Sequence, residues 1–239
     1  MIRGPLRIAY LLAVVMAPAA SFAQDSHWGV VGSVTPQWKV PSQLENLFDG
    51  TVDIKGTDFT IGIARGRVLS GDWGVSFIHK KLSDGSRVEK IEQRCFPVGS
   101  TTTCFPDGES IVTRGVTLNG VEVHKYVSFG TIRQRVQIGM NFAGGVGTFH
   151  GDLDERELRA EPIAFDPRTG QPTGFRSVET LETKPASDLI DVSTVPLLKI
   201  QPAVSFIAAP GFKVRVQGGL NLPGYEVFSV VGVVFFGAK

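Results

Sequence analysis

The stretch QRVQIGMNFAGGVG, residues 134–147, decides the fold because its side chains alternate between two kinds. A repeat of two residues is the repeat of a β-strand, and this pattern predicts a strand between two unlike environments. The apolar face carries Val136, Ile138, Met140, Phe142 and Val146, and the polar or small face carries Gln137, Gly139, Asn141, Ala143, Gly145 and Gly147.

The same alternation recurs along the chain, with almost no helical periodicity. It predicts eight strands, at 28–40, 52–66, 71–82, 112–130, 133–149, 194–209, 212–222 and 226–236. The connections after the second, fourth and sixth strands are short, whereas those after the first, third and fifth are long. The two longest loops are predicted at about 83–111 and 150–193. An even number of strands with short turns at one end predicts an all-β fold, a closed antiparallel up-and-down β-barrel that is transmembrane.

The first 23 residues have the order of a secretory signal peptide: Arg3 and Arg7, an apolar run, and the small residues Ser21 and Ala23. The apolar run is shorter than the roughly 20 residues of a membrane helix. We therefore expect a signal peptide at 1–23 and one barrel domain at 24–239. Basic and acidic residues are nearly equal in number over the 239 residues, 24 against 23. That balance gives no reason to expect nucleic acid as a partner.

The polar face favours a membrane barrel over a soluble one. A soluble barrel turns charged side chains to water, whereas a membrane barrel turns apolar ones to lipid and fills its lumen with polar and small groups. Here the polar face is rich in glycine, alanine and serine, which suit the crowded interior of eight strands. The predicted polar interior comprises Glu122, His124, Tyr126, Gln137, Asn141, Lys199, Gln201, Lys213, Arg215 and Gln217.

On these features the chain resembles the small eight-stranded outer-membrane barrels of the OmpA/OmpX type. The resemblance covers the signal peptide, the rhythm of strands and loops, and the final strand from Val227 to Phe236. Members typically end on an aromatic residue that the assembly machinery recognises, and here three residues follow Phe236. The resemblance implies a monomer in the bacterial outer membrane, in contact with membrane lipids.

Two pairs of residues carry local predictions. Cys95 and Cys104 lie close together in an exported chain, which predicts a disulfide that closes a small loop.

Pro36 and Pro202 fall inside predicted strands of a barrel that has no free edge. We expect each proline to mark a β-bulge or a strand boundary.

The sequence contains few candidate catalytic residues. His124 and Ser128 share a strand face, but at about 3.4 Å per residue they stand roughly 13 Å apart. No cofactor or metal site is predicted, and we expect a protein that is not an enzyme. Basic residues where the third strand ends, Lys80, Lys81 and Arg87, are candidate contacts for lipopolysaccharide phosphates.

The functional expectation is an outer-membrane barrel with an extracellular crown of loops, a structural, adhesion or binding role, and no open pore. Two alternatives stay open. One is a soluble periplasmic lipocalin-like barrel that binds an apolar ligand. The other is a barrel enzyme that modifies lipid A.

Overall fold

The computed structural model describes residues 26–39, 51–98, 101–168, 170, 172–186, 194–222 and 224–237. The predicted signal peptide at 1–23 lies outside the described residues, as does the end of the predicted loop 150–193. Within the described ranges, no helix is long and apolar enough to cross a membrane.

The described chain is all-β, with eleven antiparallel strands. They are β1 (His27–Lys39), β2 (Thr51–Asp53), β3 (Lys55–Gly66), β4 (Asp72–Leu82), β5 (Arg87–Val98), β6 (Thr101–Ile132), β7 (Val136–Phe165), β8 (Pro172–Pro185), β9 (Val195–Ala209), β10 (Phe212–Leu222) and β11 (Gly224–Phe235). The predicted all-β class and antiparallel pairing are confirmed.

Eight of these strands form a closed ring. Its order is β1, β3, β4, β6, β7, β9, β10 and β11, and β11 pairs back onto β1. Each ring strand therefore pairs with the next ring strand along the chain, so short turns suffice at one end of the ring. These turns lie at 67–71, 133–135 and 210–211. The first and third are where the sequence predicts them, whereas the second was predicted at 130–132 and lies three residues later, because β6 continues to Ile132.

Three further strands extend the structure beyond the ring: β5 and β8, which lie in the predicted loops 83–111 and 150–193, and β2, most of which lies in the predicted strand 52–66. The outer halves of β6 and β7 run past the ring mouth, where β5 pairs with β6, β2 pairs with β5, and β8 pairs with β7. We call this five-stranded sheet the crown. Gly115 and Gly151 adopt positive φ, 61° and 104°, where β6 and β7 pass from ring to crown. Glycine tolerates such a backbone without strain.

The two prolines predicted to interrupt strands differ. Pro36 lies in β1 where the pairing shifts register against β3 and against β11. A proline lacks the N–H of a regular ladder, so the irregularity beside Pro36 removes the need for that hydrogen bond. Pro202 lies within β9, whose pairing with β7 continues through it without a register shift, so the expected bulge or strand boundary is not found there.

Apolar packing inside the ring is confined to small clusters. Ile78, Leu118 and Leu197 form one layer, and Trp38, Leu82 and Val116 belong to a second layer closer to the crown. Near the short turns Val31, Ala64 and Phe235 form a third. Most large apolar side chains of the ring lie on its outer wall instead, so polar groups fill much of the interior.

Candidate functional site

The ring interior holds the candidate site, and the structure places all ten predicted interior residues there, each buried. Alternate positions on β6, β7, β9 and β10 point inward, so the period-two pattern brings these side chains together from four strands. Within the described residues, no group of three His, Cys, Asp or Glu side chains is arranged to hold a metal ion.

Five charged residues form a cluster on the crown side of the interior, the crown-side cluster: Asp58, Lys80, Glu122, Lys199 and Glu226. The Lys199 ammonium lies 3.2 Å from Glu122, 3.6 Å from Asp58 and 3.9 Å from Glu226. The Lys80 ammonium lies 3.3 Å from the same Asp58 oxygen. Each cation therefore has a carboxylate partner, which a buried charge requires.

Amide side chains complete the crown-side cluster. Asn221 accepts a 2.7 Å hydrogen bond from the Lys80 ammonium, and its own NH₂ donates to Glu226. Gln201 donates to the second Glu226 oxygen at 2.5 Å and accepts from Gln217 at 2.8 Å. These amides link strands on opposite sides of the ring, so the network spans the lumen.

A second group of charges, the turn-side cluster, lies near the short turns: Asp72, Lys213 and Arg215. Lys213 and Arg215 both donate to one Asp72 oxygen at 2.6 Å. Lys213 also donates to the carbonyl of Ser70, at 3.2 Å, which ties β10 to the β3–β4 turn. The Arg215 guanidinium lies 3.8 Å from the centre of the Tyr126 ring, a cation–π contact.

The two clusters together balance their charges. Within the described residues, four buried cations face four buried carboxylates: Lys80, Lys199, Lys213 and Arg215 against Asp58, Asp72, Glu122 and Glu226. This balance of opposite charges lowers the cost of burying them in the ring interior.

His124 and Ser128, which share a strand face in the sequence, have different hydrogen-bond partners in the structure. His124 points into the ring, where its Nδ1 lies 3.3 Å from the Ser76 hydroxyl. Ser128 instead donates to the carbonyl of Gly130, near the short turns. Ser76 and His124 are both buried inside the ring.

Lys80 requires a correction. It was predicted at the membrane rim as a lipopolysaccharide contact, but it is 1 % exposed and bound to Asp58. The reason is its register on β4, since Gly74, Ser76 and Ile78 precede it on the inner face. Lys81 points outward and is exposed, and the exposed Arg87 forms an ion pair with Glu89 at 3.2 Å.

The predicted interior set did not include Asp58, Asp72, Asn221 and Glu226. The first three occupy alternate positions in phase with the inner residues of their strands, as Asp58 does with Thr60 and Gly62 on β3, so extending the inner face to the strand ends would have found them. Glu226 could not be found in this way, because a register shift separates it from Ser229 and Val231 on the inner face of β11. All four lie near strand ends, where polar residues are also expected in turns.

The outer wall of the ring is apolar around its circumference. Among its exposed side chains are Val30, Val34, Phe59, Ile61, Ile63, Val75, Phe77, Val121, Ile138, Val146, Ile200, Phe206, Val216, Leu220, Val227, Phe228, Val230 and Val234. We call this surface the apolar belt. Trp28 and Trp73 contact each other at its turn-side border, with ring centroids 6.4 Å apart.

The crown, in contrast, is held by a disulfide, aromatic contacts and exposed ion pairs. Cys95 and Cys104 are directly opposite on β5 and β6 and form the disulfide. Beside them Phe96 stacks on Phe175 of β8 at 4.1 Å, so the tips of the two crown hairpins touch. Hydrogen bonds from Lys184 to Glu155 and Glu182 raise the pKa of that lysine.

No protein-family model matches this chain, and no curated protein shows significant similarity to it.

Proposed function

We propose that this protein is an outer-membrane β-barrel whose ring lies in the bilayer and whose crown extends outside the cell. Its role is structural or adhesive, or binding at the crown, and it has no open pore. The observation that carries the proposal is the apolar belt around a ring filled with charges. Soluble proteins rarely expose so large an apolar surface, whereas lipid is its natural solvent.

The dimensions support this placement. Ring strands such as β3 and β4 have 12 and 11 residues. A tilted strand needs about 9–11 residues to span the hydrocarbon core. Trp28 and Trp73 lie where an interfacial aromatic girdle is expected.

The orientation follows from the connections. Outer-membrane barrels turn their short connections to the periplasm and their long ones outward. The crown lies opposite the short turns, so it would face the exterior. Lys81 lies just beyond the belt on the crown side, where its ammonium would meet lipopolysaccharide phosphates.

The direction of the side chains favours this function over a lipocalin-like one. A soluble carrier of apolar ligands needs an apolar lumen and a polar exterior. Here Val136, Ile138 and Phe142 point away from the lumen, and Gln137 and Asn141 point into it. The charge-balanced interior also supports a barrel without free passage of solutes.

The test is to express the full chain in a bacterium with two membranes and to separate its membranes. We expect the protein to stay in the outer-membrane fraction after a carbonate wash and to need detergent for extraction. Because the ring is held by a closed hydrogen-bonded sheet, the unheated sample should migrate faster on a gel than the heated one. Recovery from the periplasm without detergent would contradict the proposal.

A further inference from the structure

An apolar pocket lies at the junction of ring and crown, outside the interior network. It has a volume of about 140 Å³, and its walls are formed by Ile54, Leu82, Val88, Ile111, Phe149 and Leu153. These residues come from four strands and from the link between β2 and β3. The pocket therefore exists only because β5 and the outer part of β6 fold over the ring mouth.

The pocket is closed towards the lumen. Trp38, Leu82 and Val116 pack beneath it, and Phe149 joins this layer to the deeper one of Ile78 and Leu118. The charges of the crown-side cluster lie below these layers. The pocket is partly open to its surroundings.

The polar groups around the pocket are already used within the protein. The Ser86 hydroxyl donates to the Lys55 carbonyl and accepts from the Lys55 N–H, each at 3.2 Å. The Thr113 hydroxyl donates to the Ser83 carbonyl at 3.0 Å. Arg87, the charged lining residue, is paired with Glu89. The walls are otherwise apolar, so burying a polar or charged group of a ligand against them would be costly.

We propose that this pocket binds a small uncharged hydrocarbon of about the size of benzene. An apolar cavity of about 150 Å³ lined by Leu, Ile and Phe side chains is large enough to hold benzene. The pocket here has nearly the same volume, about 140 Å³, and its lining is likewise mostly apolar, although it also includes Ser86, Arg87 and Thr113. The proposal goes beyond the envelope role, and it depends on the crown fold rather than on insertion into a membrane.

The test measures fluorobenzene binding by fluorine NMR. The sample is the full-length protein in lipid nanodiscs, and empty nanodiscs are the blank. We expect saturable binding that toluene displaces. Val88→Trp fills the pocket and should weaken binding at least tenfold, with Val88→Phe intermediate. Val112→Trp is the matched control, because Val112 is the same residue type in the same hairpin but does not line the pocket. It should stay within twofold of the wild type.

Fluorobenzene signals no different from those of empty nanodiscs would overturn the proposal, as would wild-type affinity in Val88→Trp. The heat-dependent gel shift, measured on each variant, shows that the ring has folded. Because that shift and the membrane fractionation do not depend on the pocket, failure of ligand binding is distinguishable from failure of the proposed membrane role.

Discussion

Asp72 illustrates at the residue scale how the ring tolerates buried charge. One of its oxygens accepts from both Lys213 and Arg215, so one carboxylate is the ion-pair partner of two cations. Replacing a buried ion pair by apolar groups is often harmless, whereas removing one partner leaves an uncompensated charge. The turn-side cluster therefore makes the molecule sensitive to loss of this one group.

We expect Asp72→Asn to lower the free energy of unfolding by about 3–5 kcal/mol, the usual cost of breaking a buried pair. Urea unfolding in detergent micelles, followed by tryptophan fluorescence, measures it. Glu161→Gln is the control, because Glu161 pairs with Arg176 on the exposed crown. Its effect should stay within about 1 kcal/mol. Equal stability of the two variants would show that the cluster contributes little.

Two glycines on opposite faces of β7, Gly139 and Gly144, differ in the space around them. A Cβ on Gly139 would collide with the Val127 carbonyl and lie 2.8 Å from the Tyr126 ring, whereas a Cβ on Gly144 meets nothing within 4 Å. We expect Gly139→Val to lower the free energy of unfolding by about 3 kcal/mol, the upper range for overpacking. Gly144→Val, on the outer face of the same strand, should change it by less than about 1 kcal/mol. The same urea titration compares them, and identical midpoints would contradict a tightly packed lumen.

At the element scale, the long strands β6 and β7 connect the ring to the crown. The sequence predicted their ring portions well, since one face meets a polar lumen and the other an apolar surrounding, which produces clear alternation. Their crown portions, in the predicted loops 83–111 and 150–193, lack that contrast. Both faces of the crown hairpins are largely exposed there, so polar residues occupy both faces and the two-residue pattern disappears.

The disulfide should act on one crown hairpin and not on the ring. Cys95 and Cys104 are both exposed, and they are only 9 positions apart in the sequence. We expect the double variant Cys95→Ser/Cys104→Ser to be cut faster by trypsin at Arg94, because the end of β5 frays without the link. The urea midpoint of the ring should be unchanged. A lowered midpoint would mean that crown and ring unfold together.

At the scale of the whole molecule, the inner and outer faces were predictable from sequence but the contacts across the ring were not. Period two on each strand specifies which residues share a face, and this suffices to bring Gln137 and Asn141 inside. The contact of Lys80 with Asn221 joins β4 and β10, 141 residues apart. Such a contact depends on the register of every intervening pair, which no single strand encodes.

The apolar belt allows a test of whether the ring is surrounded by lipid or by water. Ile61 lies in the middle of the exposed face of β3, with 54 % of its surface exposed, and Thr57 lies on the same face towards the crown. In a bilayer, arginine at the midplane of a barrel costs about 2–4 kcal/mol, and near the interface about 0–1 kcal/mol. We therefore expect Ile61→Arg to destabilise the protein refolded into phospholipid vesicles much more than Thr57→Arg does, as urea titration would report. If the belt faced water, an exposed arginine would be tolerated equally well at both positions, and matching stabilities would place the ring outside the membrane.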